Sequence, residues 1–123
     1  MRTLIWIDQH AAGVALRKPV LEDRGYAVLA VPTAREGLAI ISAKPVEAVI
    51  LDCLLPDMDG EALVNSIRAI DSTLPIIVLS SLGNGVPDGL AHRADATFTK
   101  ARDSFSSVAA KVCELITQRT QKA

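Results

Sequence analysis

A spacing limits the architecture of this chain more than any single residue does. Four short runs, TLIWI (3–7), AVLAV (27–31), AVIL (48–51) and PIIVL (75–79), recur roughly every two dozen residues, and none alternates apolar with polar positions. A strand with one face in water alternates; an unbroken run of Val, Ile and Leu needs cover on both faces, as in a parallel sheet. A fifth and weaker run, ATFT (96–99), reads as an edge strand.

Helical patterns fill the gaps. TAREGLAIISAK opens with Thr33, carries Glu36 three residues later as a capping box, and stops at Pro45. DGEALVNSIRAI sets Leu63, Val64, Ile67 and Ile70 on one stripe, and SFSSVAAKVCELI does the same with Phe105, Val108, Val112 and Leu115 or Ile116, after Asp103 or Ser104 as cap. Two segments fit less well. Pro19 falls inside the first helical stretch, where it should kink or shorten the helix, and SLGNGVPDGLAHR holds enough glycine and proline to allow only a short helix. Alternating strand and helix predicts βαβ units: one α/β domain, a doubly wound five-stranded parallel sheet with helices on both faces.

Composition narrows the function. At 123 residues, 50% apolar, the chain can bury a core without metals or disulfides. A net charge of −1 with scattered basic residues argues against a nucleic-acid surface. The apolar run in MRTLIWID is too short for a signal peptide or a membrane span. Cys53 and Cys113 fit no metal or redox spacing and read as small hydrophobes in a reducing compartment, so a cytoplasmic location is expected.

The chemistry lies at the strand ends. Asp8 follows the first run, Asp52 the third, Ser80 the fourth and Lys100 the fifth. The C-terminal ends of parallel strands share one edge, where open α/β sheets bind ligands. VILDCLLPDMDG (49–60) drives an apolar run into a carboxylate, which costs free energy unless compensated. Either Asp52 caps nearby backbone or it is held there for chemistry. If the chain order reverses between strands one and three, Asp8 approaches Asp52, and two close carboxylates call for a cation. An oxygen-only site of that kind suits Mg²⁺, and with a lysine and a hydroxyl beside it the edge can position a phosphoryl group. Asp52 then reads as a nucleophile aimed at phosphorus, with Lys100 and Mg²⁺ stabilising the developing charge.

LIWID, VILDCLLPDMDG, PIIVLSS and RADATFTK, in that order and at suitable spacing, make the chain resemble a response-regulator receiver domain of two-component signalling. The resemblance runs from Arg2 to about Ile116, with residues 1–118 as the receiver and 119–123 as a polar tail. It implies the strand order 2-1-3-4-5, Asp52 as phosphoacceptor, Ser80 as switch hydroxyl and Lys100 as the phosphoryl-contacting lysine. It implies metal ligation by Asp8, Asp52 and the Leu54 carbonyl. A sensor histidine kinase or phosphotransfer protein would be the donor and a downstream effector protein or domain the reader, with no direct contact to nucleic acid or membrane.

The chain departs from the family pattern at several positions. Gln9 replaces the second acid of the usual pair; its amide oxygen can ligate, but with one charge fewer, so weaker metal binding is expected. Thr97 replaces an aromatic residue, Ala101 a proline that is often cis, and Arg93 a glycine. Leu54 and Leu82 stand where the family flanks the phosphoryl group, and their bulk is expected to slow hydrolysis.

Neighbouring residues carry plainer readings. Asp57 and Asp59 cap or complement the helix that follows them. His10, just past Gln9, reads as a loop or first-turn surface histidine, with reach to the metal as the alternative; His92 carries no functional reading, Trp6 reads as a core residue, and Cys53 as packing inward, opposite Asp52. The departures support an alternative: a phosphorylation-independent interaction module, or pseudo-receiver. A phosphatase with an aspartyl nucleophile would need an acid where Leu54 stands, and a flavin protein would need a phosphate-cradling turn that DQHAAG lacks.

Overall fold

The five apolar runs form five strands. In the computed structural model, which describes residues 2–83 and 85–122, they are β1 (Arg2–Ile7), β2 (Tyr26–Val31), β3 (Ala48–Leu51), β4 (Ile76–Ser80) and β5 (Ala96–Thr99). Between and after them lie α1 (Ala11–Glu22), α2 (Ala34–Ala43), α3 (Gly60–Ile70), α4 (Asp88–Arg93) and α5 (Phe105–Lys122). Every strand pair is parallel and the order is β2-β1-β3-β4-β5. The sheet therefore reverses direction of growth at β1, and β1 and β3 lie side by side with Ile7 paired to Leu51.

The absence of alternation is explained by two cores. Even-numbered residues of β1 and β3 (Leu4, Trp6, Ala48, Ile50) join Ile77 and Leu79 under α1 and α5. Odd-numbered ones (Ile5, Ile7, Val49, Leu51) join Ile76 and Val78 under α2, α3 and α4. All four residues of β3 are fully buried, the Val49, Ile50 and Leu51 side chains each contributing about 1.5–3 kcal/mol by leaving water. The close seat of α2 depends on Gly37, where a Cβ would run into the Ile7 side chain.

Local expectations fare unevenly. Thr33 accepts the Glu36 N–H as N-cap, and its hydroxyl donates to the Glu36 carboxylate. Ser104 accepts the Ser107 N–H at the start of α5. Leu63, Val64 and Ile67 are fully buried, whereas Ile70, at the end of that stripe, is exposed. Pro19 neither shortens nor ends α1, which runs on to Glu22. Pro19 and Ala15 both face solvent, so water can take the Ala15 carbonyl that loses its donor. The short helix expected before β5 is α4, six residues long. The residues read as a polar tail continue as helix to Lys122, and Arg119 there pairs with Asp71 at 2.7 Å; Ala123 lies outside the described residues. No described helix is long and apolar enough to cross a membrane.

Candidate functional site

Hydrogen bonds just past the strand ends fix the site. Asp8 N–H donates to Val31 O (3.0 Å), Asp52 N–H to Ile7 O (2.9 Å) and Lys100 N–H to Ser80 O (2.8 Å). Each continues a strand ladder by one residue, so the side chains project from rigid backbone. Strand alternation carried one step further puts Asp8, Asp52 and Lys100 on the α1/α5 side and Ser80 on the other.

Three of the four strand-end polar side chains also fold their own loops by accepting an N–H two residues on. Asp8 Oδ1 takes that of His10 (2.9 Å), Asp52 Oδ1 that of Leu54 (3.4 Å) and Ser80 Oγ that of Leu82 (3.0 Å). The choice between cap and chemistry for Asp52 is thus divided between its two oxygens. Oδ1 caps; Oδ2 is buried and no hydrogen bond reaches it.

Around that oxygen stand three groups. Lys100 Nζ is 2.7 Å from Asp8 Oδ2 and 3.8 Å from Asp52 Oδ2. His10 Nδ1 is 3.0 Å from Asp8 Oδ1 and 3.1 Å from Asp52 Oδ2. Asp8 receives the most contacts, its Oδ2 also accepting from the indole N–H of Trp6 at 3.3 Å. Trp6 is a core residue, stacked on Phe105 with ring centroids 5.2 Å apart. Burial pushes the Asp52 carboxyl above its ordinary value, against the pull of Lys100 and with a further push from Asp8. Asp52 has no solvent exposure, and its cover includes a half-exposed imidazole and the lysine.

His10 is the residue the sequence reading underweighted. It is exposed, as the favoured reading has it, but the turn closed by Asp8 brings its ring between the two carboxylates, as the alternative has it. The signal was its place two residues after a strand-end aspartate. Gln9 also departs from expectation: its amide N–H donates to the Leu54 carbonyl at 2.9 Å. The expected weak ligand and the expected carbonyl ligand therefore bond each other, leaving one lone pair of that carbonyl. The two carboxylates and the unpartnered Asp52 oxygen nevertheless fit a divalent cation, and Asp8, His10 and Asp52 offer donor atoms all within 4.8 Å of one another.

Ser80 is not joined to this group. Its hydroxyl accepts from Leu82 N–H and the Cys53 thiol (3.2 Å) and donates to Gly85 O (3.3 Å), which fills its capacity. Cys53 packs into the core below α3 and α4, opposite Asp52 as expected. Asp57 does not serve its own helix: its two oxygens accept from Ala34 and Arg35 N–H at 2.9 and 3.0 Å, capping α2 instead. Asp59 is the N-cap of α3 by position and makes no side-chain cap bond. Arg93 ties α4 to α3, donating to Glu61 (3.1 Å) and Asn65 (3.2 Å). Thr97 is exposed on β5, and the Lys100–Ala101 peptide is trans.

Comparison with known proteins adds a family. Residues 4–106 match the model of the response regulator receiver domain. Transcriptional regulatory protein CseB of Streptomyces coelicolor is 37% identical over 91 residues, covering 72% of this chain and 38% of that protein. Transcriptional regulatory protein GlrR of Escherichia coli K12 is 28% identical over 96 residues, covering 78% of this chain and 21% of that protein. The chain thus spans well under half the length of these relatives. A receiver domain protein of Methanospirillum hungatei superposes with a TM-score of 0.89 at 23% identity, covering 100% of this chain and 99% of that one. Response regulator TrrA of Thermotoga maritima, solved in complex with Mg(2+)-BeF, superposes with a TM-score of 0.83 at 24% identity, covering 94% and 99%.

Proposed function

The chain belongs to the response-regulator receiver domain family, and from that premise we propose that it is a phosphoacceptor switch in which Asp52 takes a phosphoryl group from a sensor histidine kinase or phosphotransfer protein. The observation that carries this reading is the unpartnered Asp52 Oδ2, 3.8 Å from Lys100 and beside Asp8. That oxygen attacks phosphorus, the bond from phosphorus to the donor breaks, and the donor leaves with the electron pair. Lys100 swings from Asp8 toward the phosphoryl oxygens and balances the charge they bring. Asp8, with Asp52 and the remaining lone pair of the Leu54 carbonyl, would hold Mg²⁺, which when bound screens the repulsion between carboxylates and phosphate; TrrA, solved with Mg(2+)-BeF, is a precedent within the fold. Gln9 is then only a weak ligand, being engaged with Leu54. His10 must turn aside, because it covers Asp52.

Ser80 completes the switch. Drawn to the phosphoryl group, it leaves the Cys53 thiol and Leu82 N–H, and the β4–α4 segment shifts with it. A downstream effector protein or domain reads that face. Leu54, 46% exposed beside the site, hinders attacking water and lengthens the phosphoryl lifetime. We place this activity in the cytoplasm, within a domain of residues 1–118.

A second reading is favoured by two observations: Asp52 has no exposure, and the Gln9–Leu54 bond closes part of the metal position. Under it the fold is a phosphorylation-independent interaction module. Intact-mass measurement after incubation with Mg²⁺ and acetyl phosphate decides. Gain of one phosphate by wild type and none by Asp52→Ala supports the switch; no gain by either supports the module.

A further inference from the structure

The pocket around Asp52 offers a nitrogen, that of His10, besides the oxygens that suit Mg²⁺. Two donor atoms each about 2.1 Å from one small divalent ion, at right angles, stand about 3.0 Å apart. His10 Nδ1 lies 3.0 Å from Asp8 Oδ1 and 3.1 Å from Asp52 Oδ2, so the nitrogen already has the spacing of an adjacent ligand to each oxygen. A further observation points to a cation: Asp52 is fully buried with Oδ2 unpartnered. We propose that His10 is a metal ligand through Nδ1, and that this pocket prefers a borderline first-row ion such as Co²⁺ or Zn²⁺ over Mg²⁺.

The selection follows from ligand chemistry. Mg²⁺ is a hard ion that takes oxygen ligands and gives up water reluctantly, whereas imidazole suits later first-row metals. Removing a carboxylate at position 9 weakens both kinds of ion; placing an imidazole at position 10 compensates only the second. Lys100 holds the far oxygen of Asp8, and its Nζ, 3.4 Å from His10 Nδ1, gives up that contact when the ion enters. Nδ1 and Asp8 Oδ1 stand 3.0 Å apart, and the ion takes the place of that contact. The purpose of such an ion rests on the phosphoacceptor reading above; its binding does not.

The test uses the full chain with Cys113→Ser, which removes an exposed thiol, stripped by chelator and titrated separately with Co²⁺ and Mg²⁺. Fluorescence of Trp6, whose indole bonds Asp8, reports both ions, and Co²⁺ absorption reports coordination. Half-saturation by Co²⁺ should fall at least about tenfold below that by Mg²⁺, and His10→Ala should weaken Co²⁺ by about tenfold or more while moving Mg²⁺ by less than about threefold. His10→Asn serves as a second variant that preserves polarity, and retained circular dichroism shows that either is folded. An unchanged Co²⁺-to-Mg²⁺ ratio in both variants, or a Mg²⁺ preference in the wild type, overturns the assignment. Acetyl phosphate uptake is scored separately. Uptake with an unchanged ratio removes only the His10 ligand; Co²⁺ binding through His10 without uptake under either ion removes only the phosphoacceptor.

Discussion

The two faces of the C-terminal rim handle their polar groups in opposite ways. On the α1/α5 face, Asp8, Asp52, Lys100 and His10 lie in one charged group with one buried acceptor left open. On the α3/α4 face, Ser80 is neutral and all of its hydrogen-bonding capacity is used. The first face is ready for an added charge, and the second is locked until something outbids its present partners. A switch needs both properties: a site whose acceptor is open once His10 moves off it, and a latch that gives way only afterwards. The strand ends themselves do not distinguish them, since Asp8, Asp52 and Ser80 all fold their loops by the same bond to the second N–H onward.

The largest way to break this contrast is to remove the cation from the charged face. Lys100→Met leaves two buried carboxylates facing each other and should lower stability by about 3–5 kcal/mol in urea unfolding, with phosphoryl uptake lost. Asp52→Asn acts the other way. Its carboxyl is raised in the folded protein, so folding takes up protons where the unfolded chain would be ionised. Ionised Asp52 therefore destabilises the fold at neutral pH. The amide should raise stability at pH 7, and the gain should vanish as pH falls below the unfolded carboxylate value, where both states are protonated.

On the neutral face, Ser80→Ala strands the Leu82 N–H and should cost about 1–2 kcal/mol. Phosphate uptake should persist, while the phosphate-dependent change in amide exchange over residues 85–93 disappears. Arg93→Gly cuts a surface tie between α4 and α3 and should cost under about 1 kcal/mol, seen as faster exchange in α4 alone. The smallest effect belongs to Asp57. Backbone N–H groups of Ala34 and Arg35 hold its carboxyl below the ordinary carboxylate value, so its stabilisation is complete above the unfolded value and is lost as pH falls through the depressed one. Asp57→Asn should lower the melting temperature slightly at pH 7 and match wild type in acid.

Much of this was legible before any coordinates. Unbroken apolar runs announced a sheet covered on both faces, and parallel strands put Asp8, Asp52 and Lys100 on one edge, where they meet. Three things were not. Pro19 reads as a helix breaker, yet at a solvent-facing position the lost bond can be made up by water. His10 sits on a turn whose geometry depends on a side-chain bond, which periodicity does not see. Asp57 and Arg93 reach other helices, α2 and α3, and such contacts between distant segments leave no local pattern. Ser80 was readable in part: strand alternation alone assigns it to the face opposite Asp52.

The central claim is that the open oxygen of Asp52 is the one that phosphorus finds. Treating the phosphorylated protein with borohydride reduces an aspartyl phosphate to homoserine, and peptide sequencing by mass spectrometry then locates it. Homoserine at position 52 and nowhere else is the predicted result; an intact aspartate at 52, with the label elsewhere or absent, would contradict it.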